Sequence, residues 1–197
     1  VTPVLLLHGY TMNGTSFAAD LAPLFAETSL LPVPLDAPFA CAPGSTLLDR
    51  RPPHHTWWRA TDDGAVYEGW EEARDTVARA LTAHPGAAVL GFSQGAMLAA
   101  LVAAWSSRGV VPLVARVVLV AGRRPRAEAL QSWFSAPIAV PSLHVAGARD
   151  PMAPFAPELA RCFVDAVELS WGGPHVVPTR GPAAEQLRAF LDRAGSA

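Results

Sequence analysis

Residues 88–101 read AVLGFSQGAMLAAL, and the GFSQG at their centre sets Ser93 between Gly91 and Gly95. A serine hydroxyl is a weak nucleophile near neutral pH, so chemistry at Ser93 requires a general base, an acid that orients the base, and N–H donors for an oxyanion. Chance places glycines at these two offsets around roughly 0.5% of serines, so the spacing alone says little. Its context says more. An apolar strand-like run enters the motif, an apolar helix-like run leaves it, and the sharp turn between them needs small residues at Gly91 and Gly95. Such a turn presents a serine at a sheet edge as a nucleophile. The alternative is a serine that caps the N-terminus of a helix in a glycine-rich turn.

Where a turn of this kind carries a nucleophile, the acid and base follow it in chain order. SLHVAGARD supplies an acid, because an apolar strand ends in small residues and Asp150 lies just beyond. Asp165 competes, but it precedes the last strand instead of following one. VELSWGGPHVVP supplies a base, His175, in a Gly-Gly-Pro loop after that strand. The other histidines have simpler readings. His144 alternates with Leu143 and Val145 inside a strand, and His84 ends a helix. His54 and His55 precede the serine and have no Asp, Glu or Cys at metal-ligand spacing, so no metal site is expected. One oxyanion donor is expected from the N–H of Gln94 and the other from Tyr10 in LLLHGYTMNG, with His8 bracing that loop.

Short apolar runs alternate with longer amphipathic ones, which predicts crossover helices and a parallel sheet. Strands are expected at residues 4–7, 31–35, 88–90, 116–120, 142–146 and 166–169. Helices are expected at 68–83, where Trp70, Ala73, Val77 and Leu81 share a face, at 96–105, apolar nearly all round, and at 182–193. In LPVPL, Pro32 and Pro34 lack N–H groups on the same side of a strand, which predicts that this strand lies at the sheet's edge. Two long segments, 37–67 and 123–137, follow strand ends, the side on which substrates enter such sheets. Their aromatics, Trp57, Trp58, Tyr67, Trp133 and Phe134, are expected to form an apolar pocket for an alkyl or acyl chain.

The ordered series resembles the FSH-type serine hydrolases, small lidless or nearly lidless members of the α/β-hydrolase superfamily. LLLHGYTMNG looks like the family's first strand and oxyanion loop, and PLDAP like the end of its second strand. HTWWR with YEGWEEA is similar to its Trp-Trp segment, GFSQGAMLAA to its nucleophile elbow, SLHVAGARD to its acid strand and GGPHVVP to its histidine loop. The resemblance implies an α/β-hydrolase fold in a single domain, 1–197: a short, mostly parallel sheet of about six strands flanked by helices, with no large cap domain. It implies hydrolysis of carboxylic esters or thioesters by Ser93, Asp150 and His175 without a cofactor. Pro174 before His175 and the AGRRPR segment depart from the family pattern, and the second falls where the pocket is expected.

Bulk properties set the remaining expectations. A formal net charge of -2 gives no electrostatic pull toward nucleic acid or an anionic membrane. No basic cluster suggests a phosphorylated substrate. Cys41 and Cys162 are too few and too far apart for a disulfide framework, and read as reduced thiols of a cytoplasmic protein. No apolar run reaches the roughly 18 residues needed to span a bilayer, so no membrane insertion is expected, and the first strand begins too early for a signal peptide. The expected partner is a small-molecule ester or thioester, with an acyl carrier as a further candidate. A dedicated thioesterase acting on a carrier- or CoA-bound acyl group, and a non-catalytic binding protein of the same fold, are the alternatives.

Overall fold

The computed structural model describes residues 1–42 and 51–193. Six strands form one sheet: β1 (Thr2–Leu7), β2 (Leu30–Leu35), β3 (Ala88–Phe92), β4 (Val117–Val120), β5 (Ser142–Gly147) and β6 (Val167–Trp171). Their order is β6-β5-β4-β3-β1-β2, and every pairing is parallel. Period-two alternation divides each central strand between two cores. Leu5, Leu7, Val89, Val117 and Leu119 face one, and Val4, Leu6, Leu90, Val118 and Val120 face the other.

Helices α2 (Trp70–Ala83) and α3 (Gln94–Ser107) cover the first face, and α1 (Gly14–Phe25) and α5 (Gly181–Leu191) the second. A short α4 (Ala156–Ala160) packs near β5 and β6. Helix α3 is buried all round except at Met97 and Ser107, as its uniformly apolar sequence predicts. Helix α1 is not among the expected elements, and Pro23 lies inside it. It forms because Asn13 caps it, accepting the Ser16 N–H at 2.8 Å, and because Phe17, Leu21 and Leu24 share a buried face. The expected start of α2 at residue 68 is two residues early. Gly69 there has φ 86°, and a Cβ on it would sit 2.3 Å from the Phe39 ring, so the chain turns before the helix begins.

Strand β2 lies at the sheet's edge with β1 as its neighbour. Leu31, Val33 and Leu35 carry the N–H groups a parallel ladder needs, and Pro32 and Pro34 leave nothing on the outer side for another strand to accept. The segment expected at 37–67 contains two antiparallel ribbons, Phe39–Ala40 with His55–Thr56 and Arg59–Ala60 with Tyr67–Glu68. Residues 43–50 of that segment lie outside the described residues. The segment expected at 123–137 holds a 3-10 helix, Glu128–Phe134. Among the described residues no helix is long and apolar enough to cross a membrane, and Cys41 and Cys162 are free thiols.

Candidate active site

Ser93 stands between β3 and α3 with φ 54° and ψ −112°, a backbone conformation that L-residues avoid and that costs of order 1–3 kcal/mol. Tight packing around the turn enforces it. A Cβ on Gly91 would lie 2.2 Å from the Gly95 carbonyl oxygen, and a Cβ on Gly95 would lie 2.0 Å from the Leu7 carbonyl oxygen. The Ser93 N–H donates to the Val120 carbonyl at 2.9 Å, tying the turn to β4. The capping alternative fails, because the Ser93 side chain makes no cap hydrogen bond. Its Oγ instead lies within hydrogen-bond distance of Nε2 of His175, at 3.1 Å.

His175 Nδ1 lies 2.9 Å from each oxygen of Asp150, and the Asp150 side chain is 1% exposed. The Met152 N–H donates to Asp150 Oδ1 at 2.7 Å and fixes the carboxylate's plane. The loops that carry these two residues are joined: the Ala148 N–H donates to the Trp171 carbonyl at 2.7 Å and the Arg149 N–H to the Gly173 carbonyl at 3.0 Å. Pro174 thus leaves His175 within reach of both partners. Asp165 sits apart, exposed, in a turn with φ 50°.

Gln94 opens α3, where the helix N-terminus adds positive potential. Neither its N–H nor that of Tyr10 has an acceptor among the described residues. The Gln94 side chain has a role the sequence did not suggest. Its Oε1 accepts the Trp57 N–H at 3.0 Å, and its Nε2 donates to Thr56 Oγ1 at 2.9 Å, so it fastens the HTWW segment to the turn. His8 braces the other loop: Nδ1–H donates to the Gly9 carbonyl at 2.8 Å, and Nε2 accepts the Ala37 N–H at 3.1 Å. His54 and His55 meet the backbone carbonyls of Thr11 and Ala37.

A cavity of about 560 Å³ opens beside Ser93, Gln94 and Tyr10. Trp58 and Tyr67, stacked at 4.8 Å, line it together with Met97 and Met152. Trp57, Trp133 and Phe134 do not. Trp57 is wholly buried and its indole N–H donates to the His8 carbonyl at 2.8 Å. Trp133 packs edge-on against Trp105, and Phe134 is part of the core. The expectation of no basic cluster is also overturned, because Arg59, Arg123 and Arg126 all line this cavity.

Burial holds the pKa of both His8 and His144 down to about 4, from an ordinary 6.5. Both are neutral when folded and protonate freely when unfolded, so between pH 6.5 and 4 the unfolded chain binds more protons. Stability present above pH 6.5 is therefore lost as pH falls through this window, by about 3 kcal/mol per histidine once both states are protonated. Urea unfolding at pH 7.5, 6 and 4.5 should show this decline, and His144→Leu should reduce its slope. An unfolding free energy that stays level down to pH 4.5 would contradict it.

The parallel sheet and its flanking helices give the chain the α/β-hydrolase fold. Solved structures share the fold: an Arabidopsis thaliana SOBER1 variant matches with a TM-score of 0.70 at 16% identity, covering 96% of this chain and 97% of that one. Esterase PE8 matches with a TM-score of 0.68 at 20% identity, covering 96% and 91%. The family described as "Serine hydrolase (FSH1)" matches residues 2–187, and the chain belongs to that family. A curated relative, "Esterase OVCA2" of Mus musculus, is 36% identical in an alignment of 215 positions, gaps included, that covers 96% of this chain and 95% of that protein. The chain is accordingly a hydrolase.

Proposed function

We propose that the protein is an esterase that hydrolyses carboxylic esters through an acyl-enzyme on Ser93. The observation that carries this reading is the unbroken hydrogen-bonded chain Ser93–His175–Asp150 beside a cavity. Ser93 Oγ attacks the ester carbonyl carbon as its proton passes to His175 Nε2. Asp150 holds Nδ1–H toward itself and stabilises the imidazolium. The N–H groups of Tyr10 and Gln94 receive the oxyanion. The tetrahedral species then breaks its bond to the alcohol oxygen, which takes the proton from His175. Water enters, loses a proton to His175, attacks the acyl carbon and releases the acid, returning the proton to Ser93. The mostly apolar lining of Trp58, Tyr67, Met97 and Met152 suits an acyl chain.

Labelling with a fluorophosphonate probe tests the nucleophile. Wild type should label and Ser93→Ala should not, and persistent labelling of the variant would exclude Ser93. Matched p-nitrophenyl esters and thioesters of one acyl chain then decide between oxygen-ester and thioester hydrolysis.

A further inference from the structure

We infer that the substrate carries an anionic group, a carboxylate or a phosphate, in addition to its ester, and that Arg59, Arg123 and Arg126 receive it. This rests on the Ser93 reading above and adds a substrate class to it. Three arginines from two distant segments line one cavity with Ser93, in a chain whose formal net charge is -2. Among the described residues none of the three lies within 4 Å of a carboxylate, whereas Arg51 and Arg74 are paired with Asp20 and Asp75. Of the acidic groups nearby, Asp63 accepts from the Thr61 hydroxyl and the Ala65 N–H and lies close enough to feel the charge of Arg126, which packs on Gly64, and Glu158 lines only the adjoining cavity.

The arginines are also held in place for such a contact. The Arg123 guanidinium lies 4.4 Å over the Phe155 ring and that of Arg59 4.7 Å over Phe39. Stacking occupies the flat face of a guanidinium and leaves its in-plane N–H fork directed outward, the geometry that pairs with a carboxylate or phosphate. The Arg126 N–H donates to the Tyr67 hydroxyl at 3.1 Å, which ties the AGRRPR segment to a cavity-lining aromatic. Arg123 and Arg126 further line a second, adjoining cavity of about 230 Å³, so an anion at the boundary would meet both.

The test compares two matched pairs at low ionic strength: mono-p-nitrophenyl adipate against p-nitrophenyl hexanoate, and hexanoyl-CoA against S-hexanoyl-N-acetylcysteamine. In at least one pair the anionic member should be favoured in kcat/KM by roughly tenfold or more, the equivalent of one charge-assisted hydrogen bond. Arg123→Gln combined with Arg126→Gln should lower that ratio at least fivefold, added salt should lower it, and the two lysine substitutions should retain more of it. A ratio within one preparation does not depend on the fraction folded. Preference in the adipate pair alone puts the anion on the acyl chain, and preference in the CoA pair alone puts it on the leaving group. Ratios at or below one in both pairs, or a preference untouched by the glutamine variants, overturn the inference. Ser93→Ala run on the same substrates reports separately on the nucleophile.

Discussion

Asp150→Asn is expected to lower kcat for an activated ester by about 10⁴ while the protein still folds, because the change is isosteric and its effect is on a proton. Asp150 Oδ1 accepts the Met152 N–H, and that bond holds the side chain's orientation. An asparagine keeps it by placing its carbonyl oxygen there, which turns the amide NH2 toward His175 Nδ1. Nδ1 lies 2.9 Å from both side-chain positions; accepting from the NH2 puts the imidazole proton on Nε2, the nitrogen that has to take the proton of Ser93. The base is present but in the wrong tautomer. His175→Ala removes the base altogether and is expected to cost about 10⁶, the scale seen when one member of a cooperating triad is lost. Steady-state kinetics alongside thermal melts separate these effects from misfolding. A folded Asp150→Asn enzyme with kcat within tenfold of wild type would refute the role given to Asp150.

The parts of this site readable in the sequence are those set by local rules. Gly91 and Gly95 mark the turn at Ser93, and Asp150 and His175 follow strand ends within a few residues, so a correct sheet order almost forces the three to meet. Pro32 and Pro34 identify an edge strand by what they lack. Helix α1 forms despite Pro23 inside it, because an Asn13 cap and a buried face outweigh that breaker. The pocket was misread because following a strand end does not say which way a side chain turns. Trp57 and Trp58 are adjacent, yet one is hydrogen-bonded into the core and the other lines the cavity. Arg59 and Arg123 are far apart in the chain and come together only through the ribbon at Arg59–Ala60 and the return from β4. No periodicity reports such a meeting.

Gly95→Ala separates the turn's geometry from its chemistry. Gly95 is in α3, where glycine is ordinarily about 1 kcal/mol worse than alanine, so propensity alone predicts that the substitution stabilises. Sterics predict the opposite. The new Cβ would lie 2.0 Å from the Leu7 carbonyl oxygen, 2.5 Å from its carbon and 2.6 Å from the His8 carbonyl oxygen, all backbone atoms at the end of β1. That strand is paired to β2 on one side and β3 on the other and has no room to retreat. The helix start must therefore move away, which costs about 3 kcal/mol, the upper end for overpacking. In a protein of this size that lowers Tm by roughly 6–12 °C. The same movement separates the Gln94 N–H from the Tyr10 N–H that follows β1, and shifts Ser93 from His175. A displacement near 1 Å is expected to cost about 10² in kcat. Gly172→Ala is the control for stability, since a Cβ there meets nothing within 4 Å. Differential scanning fluorimetry with ester kinetics on both variants decides the matter: a Gly95→Ala protein as stable and active as wild type would mean that α3 and β1 are not in the close contact that holds Ser93 in place.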